Sequence, residues 1–292
     1  MPLNSTRGAA SAKAFGFTAG GIAPVDVDFL VVAGGASGAT YGGGGGAGCY
    51  RTSFPGGTKI TLTKGSYPIT VGAGGVMPSL FSSNSGNPSI FSTITSAGGG
   101  NNNSAGGSGG GGGQSSYDPT GGAGNTPPTS PPQGNPGGNA SSPTSAGSAG
   151  GGGAGAPGSN GSGSSGGPGG AGLASSIDGS STTRAGGGGG ATSGGGGVGS
   201  GGPGGGGSGT PPGGGDGGAG TVNTGGGGGS SSYPPFFLGG NGGSGIVIIR
   251  APGASGSKFS VSPGTNTKTT SPAPDGAATI LTFTVPGSAT YG

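Results

Sequence analysis

The sequence holds no histidine and no glutamate; its six acidic residues are all aspartate. It has a single cysteine, and charged residues make up only 5% of its 292 positions. Each shortage excludes something. Without His or clustered Cys no zinc-type ligand set can be assembled, and the side chains that most often move protons in catalysis are nearly missing. The expectation is therefore no enzyme, no metal and no cofactor. Cys49 has no partner for an internal disulfide and implies no oxidising compartment; it is expected as a small buried residue. A net charge of +3 on so few charged groups is no electrostatic footprint. The aromatics are not interleaved with Lys or Arg either, so nucleic acid is not expected as a partner. No apolar run approaches the roughly 20 residues of a membrane span, so membrane insertion is not expected. The opening MPLNSTRGAASAKAFGF lacks the apolar centre of a signal peptide, which points to assembly in a cytosol.

What the chain has is glycine, 90 residues of it, together with 25 prolines, against 26% hydrophobic residues. Such composition suggests collagen or low-complexity disorder. Collagen fails because glycine runs at 186–190 and 225–229 break any three-residue period. Disorder fits poorly too, since disordered chains are usually rich in charge. The apolar content cannot build an ordinary core for this length, so something other than side-chain burial must order the chain.

Along the chain, residues 1–24 form a small-residue leader and possible attachment segment. Residues 25–97 are a β-rich entry with the first glycine run. Residues 98–245 are glycine punctuated by Ser, Asn, Thr and Pro, and 246–292 carry a closing strand and a C-terminal β-hairpin tail. Alternating or short apolar runs predict strands at 25–33, 59–63, 67–71, 89–95, 246–250, 258–262 and 279–285. No stretch has helical periodicity.

A polyproline II chain has three residues per turn and no internal hydrogen bonds, so its buried amides must find partners sideways. Glycine alone lets backbones approach closely enough to supply them. The predicted fold class is thus a polyglycine II (PPII) helical bundle with flanking short antiparallel β-strands and essentially no α-helix. Pure runs at 109–113, 186–190, 194–197, 204–207 and 225–229 are expected inside it. The stretch 152–172, with glycine at nearly every third position, is expected at its edge. Val31, Val32 and 246–249 bracket the glycine region and are the natural clamp.

Chemistry-bearing motifs are scarce. Asp26 and Asp28 flank one strand residue and are read as structural, facing solvent or the leader. The match of Gly43, Gly45 and Gly48 to GxGxxG is a product of the run and lacks an acidic ribose ligand and a following helix. The loops QSSYDPT (114–120), NTPPTSPPQGN (125–135), SSIDGSSTT (175–183) and SSSYPPFFL (230–238) say more, because function concentrates on loops held by rigid scaffolds. Tyr117, Asp118, Tyr233, Phe236 and Phe237 are the candidate receptor contacts. The competing reading makes Phe236, Phe237 and Leu238 a plug that seals one bundle end.

The signatures FLVVAGG (29–35), GGGGAG (43–48) before Tyr50 and Arg51, ITVGAGG (69–75), SSI followed by AGGGGG (175–190), NTGGGGG (223–229) and GGSGIVIIRAP (242–252) carry a resemblance. Over about residues 25–252 the chain resembles a glycine-rich domain of tail-fibre and other virion proteins of marine and cyanobacterial bacteriophages. It is also similar to the polyglycine bundle of tail-fibre tip adhesins of T-even-like phages, although no adhesin attachment domain is matched. That resemblance implies a tail-fibre or tail-tip adhesin in the virion, folded in the host cytoplasm and released by lysis. Its implied partners are other tail or fibre proteins and a bacterial surface glycan or outer-surface protein, with homo-oligomerisation possible. The alternatives are a purely structural fibre, fibril or capsid decoration protein and, remotely, an ice-binding polyglycine protein.

Overall fold

The structure is a computed structural model that describes residues 21–114, 119–141, 147–192, 194–233, 235–271 and 277–292. Among these residues it is nearly all β and coil. No α-helix occurs, and the single helical element is a 3-10 turn at Gly253–Lys258.

The described residues form thirteen strands: β1 (Val25–Val32), β2 (Tyr50–Thr52), β3 (Ile60–Leu62), β4 (Gly65–Thr70), β5 (Ser89–Phe91), β6 (Ile94–Ser96), β7 (Leu173–Ser175), β8 (Thr182–Arg184), β9 (Ile246–Pro252), β10 (Phe259–Ser262), β11 (Thr267–Ser271), β12 (Ala278–Phe283) and β13 (Gly287–Tyr291). One sheet runs β11-β12-β9-β1-β2, with β3 pairing the outer half of β1; a second runs β10-β13-β4-β5-β6; β7 and β8 form a separate pair. All strand pairings are antiparallel.

The two larger sheets face each other across one apolar cluster. Val25, Val27, Phe29 and Val31 of β1, with Val247, Ile249, Leu281 and Phe283, meet Ile69, Phe91, Phe259 and Tyr291 of the second sheet. The first sheet is buried on its other face as well. There Leu30, Val32, Ile246, Ile248 and Ile280, with Tyr50 of β2, pack on Ala47, Ala154, Ile177 and Ala185, which come from the glycine-rich part. This explains the sequence of β1. Its first half alternates with Asp26 and Asp28, and its second half, FLVV, is apolar on both sides because both sides are covered.

The clamp expected from Val31, Val32 and 246–249 is present, with Val31 opposite Val247 and Val32 opposite Ile246. Several local expectations differ. The 89–95 strand is a tight hairpin, split between β5 and β6. The 258–262 and 279–285 segments do not pair with each other. β10 pairs with β13, while β12 inserts beside β9, so the C-terminal residues are shared between both sheets. Asp28 is buried rather than solvent-facing; its carboxylate holds Lys59 Nζ at 3.2 Å and accepts from Ser53 Oγ at 2.9 Å.

The glycine segments run out from the sheets and return, joined sideways by main-chain bonds with a regular order. Successive amides of 33–39 donate to Cys49, Asn87, Gly243, Gly46, Asn84, Gly240 and Gly43. Every third donor therefore reaches the same neighbouring segment, and each acceptor lies three residues further back. The run 43–49 behaves alike. Gly43, Gly46 and Cys49 donate to Asn102 Oδ1, Gly100 and Ala97; Gly44 and Ala47 to Ala149 and Gly152; Gly45 and Gly48 to Gly228 and Gly225. The second of these neighbours runs parallel and the other two antiparallel. The same order recurs at 147–154 and 186–190.

Runs 109–113, 186–190 and 225–229 are buried, as expected for interior positions. Runs 194–197 and 204–207 are not. The first is a largely exposed turn, and only Gly207 of the second is buried, because composition alone does not say which run has neighbours on all sides. Of 152–172, residues 155–165 are mostly exposed or half-buried whereas 151–154 are buried.

Candidate functional site

The glycine segments place three loops together at the end away from the sheets. Run 33–39 leaves β1 and turns at 40–42 into run 43–49, which returns to β2; the two are bonded at 33 to 49, 36 to 46 and 39 to 43. Run 225–231 starts beside Gly48 and ends where Ser231 N donates to Ala39 O and Tyr41 N donates to Ser231 O. The loop 76–84 is held at the same level by Ser37, whose amide donates to Asn84 O and whose hydroxyl accepts from Asn84 N at 2.9 Å.

Aromatic rings from these loops form a continuous row. Phe81 meets Phe236 edge-on at 5.2 Å between centroids and 75°. Phe236 lies against Tyr233 at 4.5 Å and 33°, and Tyr233 meets Tyr41 edge-on at 6.0 Å and 80°. The row is open to solvent: Phe81 is 64% exposed, Tyr233 45% and Phe236 44%. These are all of the exposed aromatic side chains among the described residues, and the exposed aliphatics Val76 and Leu80 lie in the Phe81 loop.

Two backbone positions mark the row further. Tyr41 has φ of 55° and Phe81 φ of 64°, the left-handed region that bulky residues normally avoid. Such strain persists only where the surroundings impose it, and it concentrates at functional sites. The supports are visible. Thr40 Oγ1 donates to Phe237 O at 2.8 Å, as does Ser231 Oγ. Leu238 N donates to Asp216 Oδ1 at 2.8 Å, Met77 N to Asn241 Oδ1 at 2.8 Å, and Asn84 Nδ2 to Val76 O at 2.9 Å.

Of the residues singled out in the sequence, Tyr233 and Phe236 are thus brought together. Phe237 is half-buried and joins the end through its carbonyl. Phe236 is partly exposed and packs on Phe81 and Tyr233. Tyr117 and Asp118 lie outside the described residues; Gln114, the last described residue before them, donates its amide to Tyr41 O. Sequence reasoning missed Tyr41 and Phe81. Their only sequence signal was an aromatic residue among Gly, Ser and Asn, which Tyr67 shares without belonging here.

Two clefts lie at the opposite end. One of about 550 Å³ is lined by Phe29, Tyr50, Arg51, Ile94, Pro131 and Leu173, among others. The other, about 400 Å³, holds Asp26, Asp28, Lys59 and Arg250 beside Phe54. In the second the charges are engaged internally: Asp28 with Lys59, Asp26 Oδ1 with the Thr61 hydroxyl at 2.6 Å, and Arg250 with Ile177 O at 3.2 Å and over the Phe54 ring. Nearby, burial pushes the Tyr50 phenol above its usual range and the Cys49 thiol up to about 12. Burial thus favours the neutral form of both groups.

Fold and site together define an all-β, antiparallel protein in which glycine-rich segments carry exposed aromatics at the end remote from the sheets. The chain belongs to the glycine-rich domain family, whose model matches residues 16–252. No curated protein and no solved structure matches it significantly.

Proposed function

We propose that this chain is a bacteriophage virion protein, a tail-fibre or tail-tip adhesin in which a polyglycine II bundle presents an aromatic tip to the host surface. The bundle reading is supported by the three-residue order of the sideways bonds, since a three-fold helix turns one amide in three toward each neighbour. Glycine supports it in a second way. A Cβ on Gly45 would lie 2.3 Å from Ala36 O, and one on Gly188 would lie 2.0 Å from Gly228 O. Neighbouring main chains are too close there for any side chain.

The observation that carries the adhesin reading is the exposed row Phe81–Phe236–Tyr233–Tyr41. Soluble monomers seldom leave contiguous apolar surface open without an interaction to serve. Here that surface is built from three loops, two of them strained, on a scaffold whose rigidity comes from main-chain bonds. A stiff stem with sticky, loop-borne side chains suits a virion part that must survive outside the cell and touch a surface. The resemblance to phage glycine-rich domains supplies the biological setting.

The test is attachment of the purified chain to a panel of bacterial cells. Phe81→Ala and Phe236→Ala are expected to lower attachment at least tenfold while leaving the melting temperature within a few degrees. Attachment that is undiminished in both variants would instead favour a purely structural virion component.

A further inference from the structure

The chemistry around the aromatic row points to its ligand. Among the described residues the charged side chains gather at the sheet end; only Asp216 reaches the aromatic end, and its carboxylate is occupied by Leu238 N. Among the described residues no Lys or Arg is near the row. Anionic ligands such as phosphorylated saccharide cores or acidic lipid headgroups are recognised by Lys and Arg clusters, and the described residues place no such cluster at the row. An amphipathic membrane contact likewise combines apolar bulk with cations. What the row offers is ring faces together with neutral hydrogen-bonding groups: the phenol hydroxyls of Tyr41 and Tyr233, and exposed Ser79, Ser82 and Asn84 in the Phe81 loop.

Ring faces beside neutral hydroxyls and amides match the two-sidedness of a pyranose. One sugar face carries C–H bonds that are slightly positive and suit the negative π-face of an aromatic ring. Its rim carries hydroxyls that need donors and acceptors. The rings are also preorganised. Phe81 and Tyr41 stand edge-on against their neighbours and brace them, so little side-chain entropy remains to be lost on binding. We infer that the row Phe81–Phe236–Tyr233–Tyr41 binds an uncharged saccharide, a few sugar units long, by stacking on the ring faces. This rests on the reading of the row as the host-contact surface and narrows it to one ligand class.

The experiment has two arms. In the first, the full chain is titrated with neutral gluco-, galacto- and manno-oligosaccharides and with a phosphorylated oligosaccharide, following tyrosine fluorescence. Saturable binding of at least one neutral oligosaccharide is expected, weakened at least tenfold by Phe236→Ala. Phe236→Leu, which keeps apolar bulk but removes the π-face, is expected to lose nearly as much. Equal binding by Phe236→Leu and the parent would overturn stacking, and binding of the phosphorylated sugar alone would overturn the uncharged class.

In the second arm, cells are treated with periodate, which cleaves vicinal diols, or with protease before attachment is measured. Attachment lost to periodate and kept after protease supports the saccharide. Attachment kept after periodate and lost to protease overturns it while leaving the adhesin reading intact. Attachment indifferent to Phe81→Ala and Phe236→Ala removes the adhesin reading itself.

Discussion

At the scale of single residues, glycine here is defined by what surrounds it rather than by its conformational freedom. Gly45 sits between main chains, and its missing Cβ would collide with Ala36 O at 2.3 Å and Ser37 O at 2.7 Å. Neither atom belongs to a flexible side chain, so Gly45→Ala must push two bonded runs apart. We expect a loss of at least ~3 kcal/mol, read from the urea midpoint. Gly195, by contrast, has no heavy atom within 4 Å of an added Cβ and no left-handed φ. Gly195→Ala should be neutral or stabilise by up to ~1 kcal/mol through the unfolded chain. Equal losses in the two variants would show that main-chain proximity does not govern stability. Phe81 gives the opposite case, a side chain where glycine would be easier. Its left-handed backbone costs roughly 1–2 kcal/mol, so Phe81→Gly is expected to keep or raise the melting temperature while attachment to cells falls. A fall in both would mean that Phe81 is structural.

At the scale of elements, the glycine runs replace the side-chain core with a ladder of amides. Each net hydrogen bond returns only about 0.5–1.5 kcal/mol, whereas ordering a residue costs about 1–2 kcal/mol and glycine more than most. The bonds therefore hold only together. Amides of 43–49, whose donors reach three different segments, are expected to exchange with solvent at least ~10³-fold more slowly than a free peptide. Those of the exposed turn at 194–196 should exchange near the free rate. Fast exchange throughout 43–49 would contradict a ladder that closes cooperatively.

Part of this was legible in the sequence. β1 and β9 announced themselves in VDVDFLVVA (25–33), which alternates and then turns apolar, and in IVIIR (246–250), a short run of apolar and β-branched residues. β11 did not, since TKTTS is polar and lies at a sheet edge where four of its five residues stay exposed. β2, β7 and β8 are three residues each, too short for any pattern to form. The runs 225–229 and 194–197 are near-identical as sequence, and only long-range neighbours separate the buried from the exposed one. The site divides in the same way. Tyr233 and Phe236 stood out as bulky residues in a polar loop, but Tyr41 and Phe81 joined them through backbone geometry and contacts between segments distant in the chain.

At the scale of the whole molecule, sheets and glycine runs do not stand as separable parts. Leu30, Val32, Ile246 and Ile248 of the first sheet pack on Ala47, Ala154 and Ala185 from the runs, so one cannot open without exposing the other. Cys49 lies at that junction. It is fully buried, its amide donates to Ala97 O and its carbonyl accepts from Ala33 N. Burial raises its thiol from 9.0 to about 12, and thiolate is the form that reacts. In the native protein a thiol reagent should therefore label Cys49 only through global opening, with a rate that tracks urea concentration as the unfolding transition does.

The pH dependence follows from the same shift. The folded state holds the proton more tightly than the unfolded chain, so the neutral thiol's contribution is complete below pH 9.0 and is lost as pH rises toward about 12. Stability of the parent is expected to fall across that window. Cys49→Ser, whose hydroxyl does not ionise there, should show a flatter decline whatever its stability at neutral pH. Rapid labelling at neutral pH without denaturant, or identical alkaline profiles for the two proteins, would mean that the junction opens on its own and that the molecule is not a single cooperative unit.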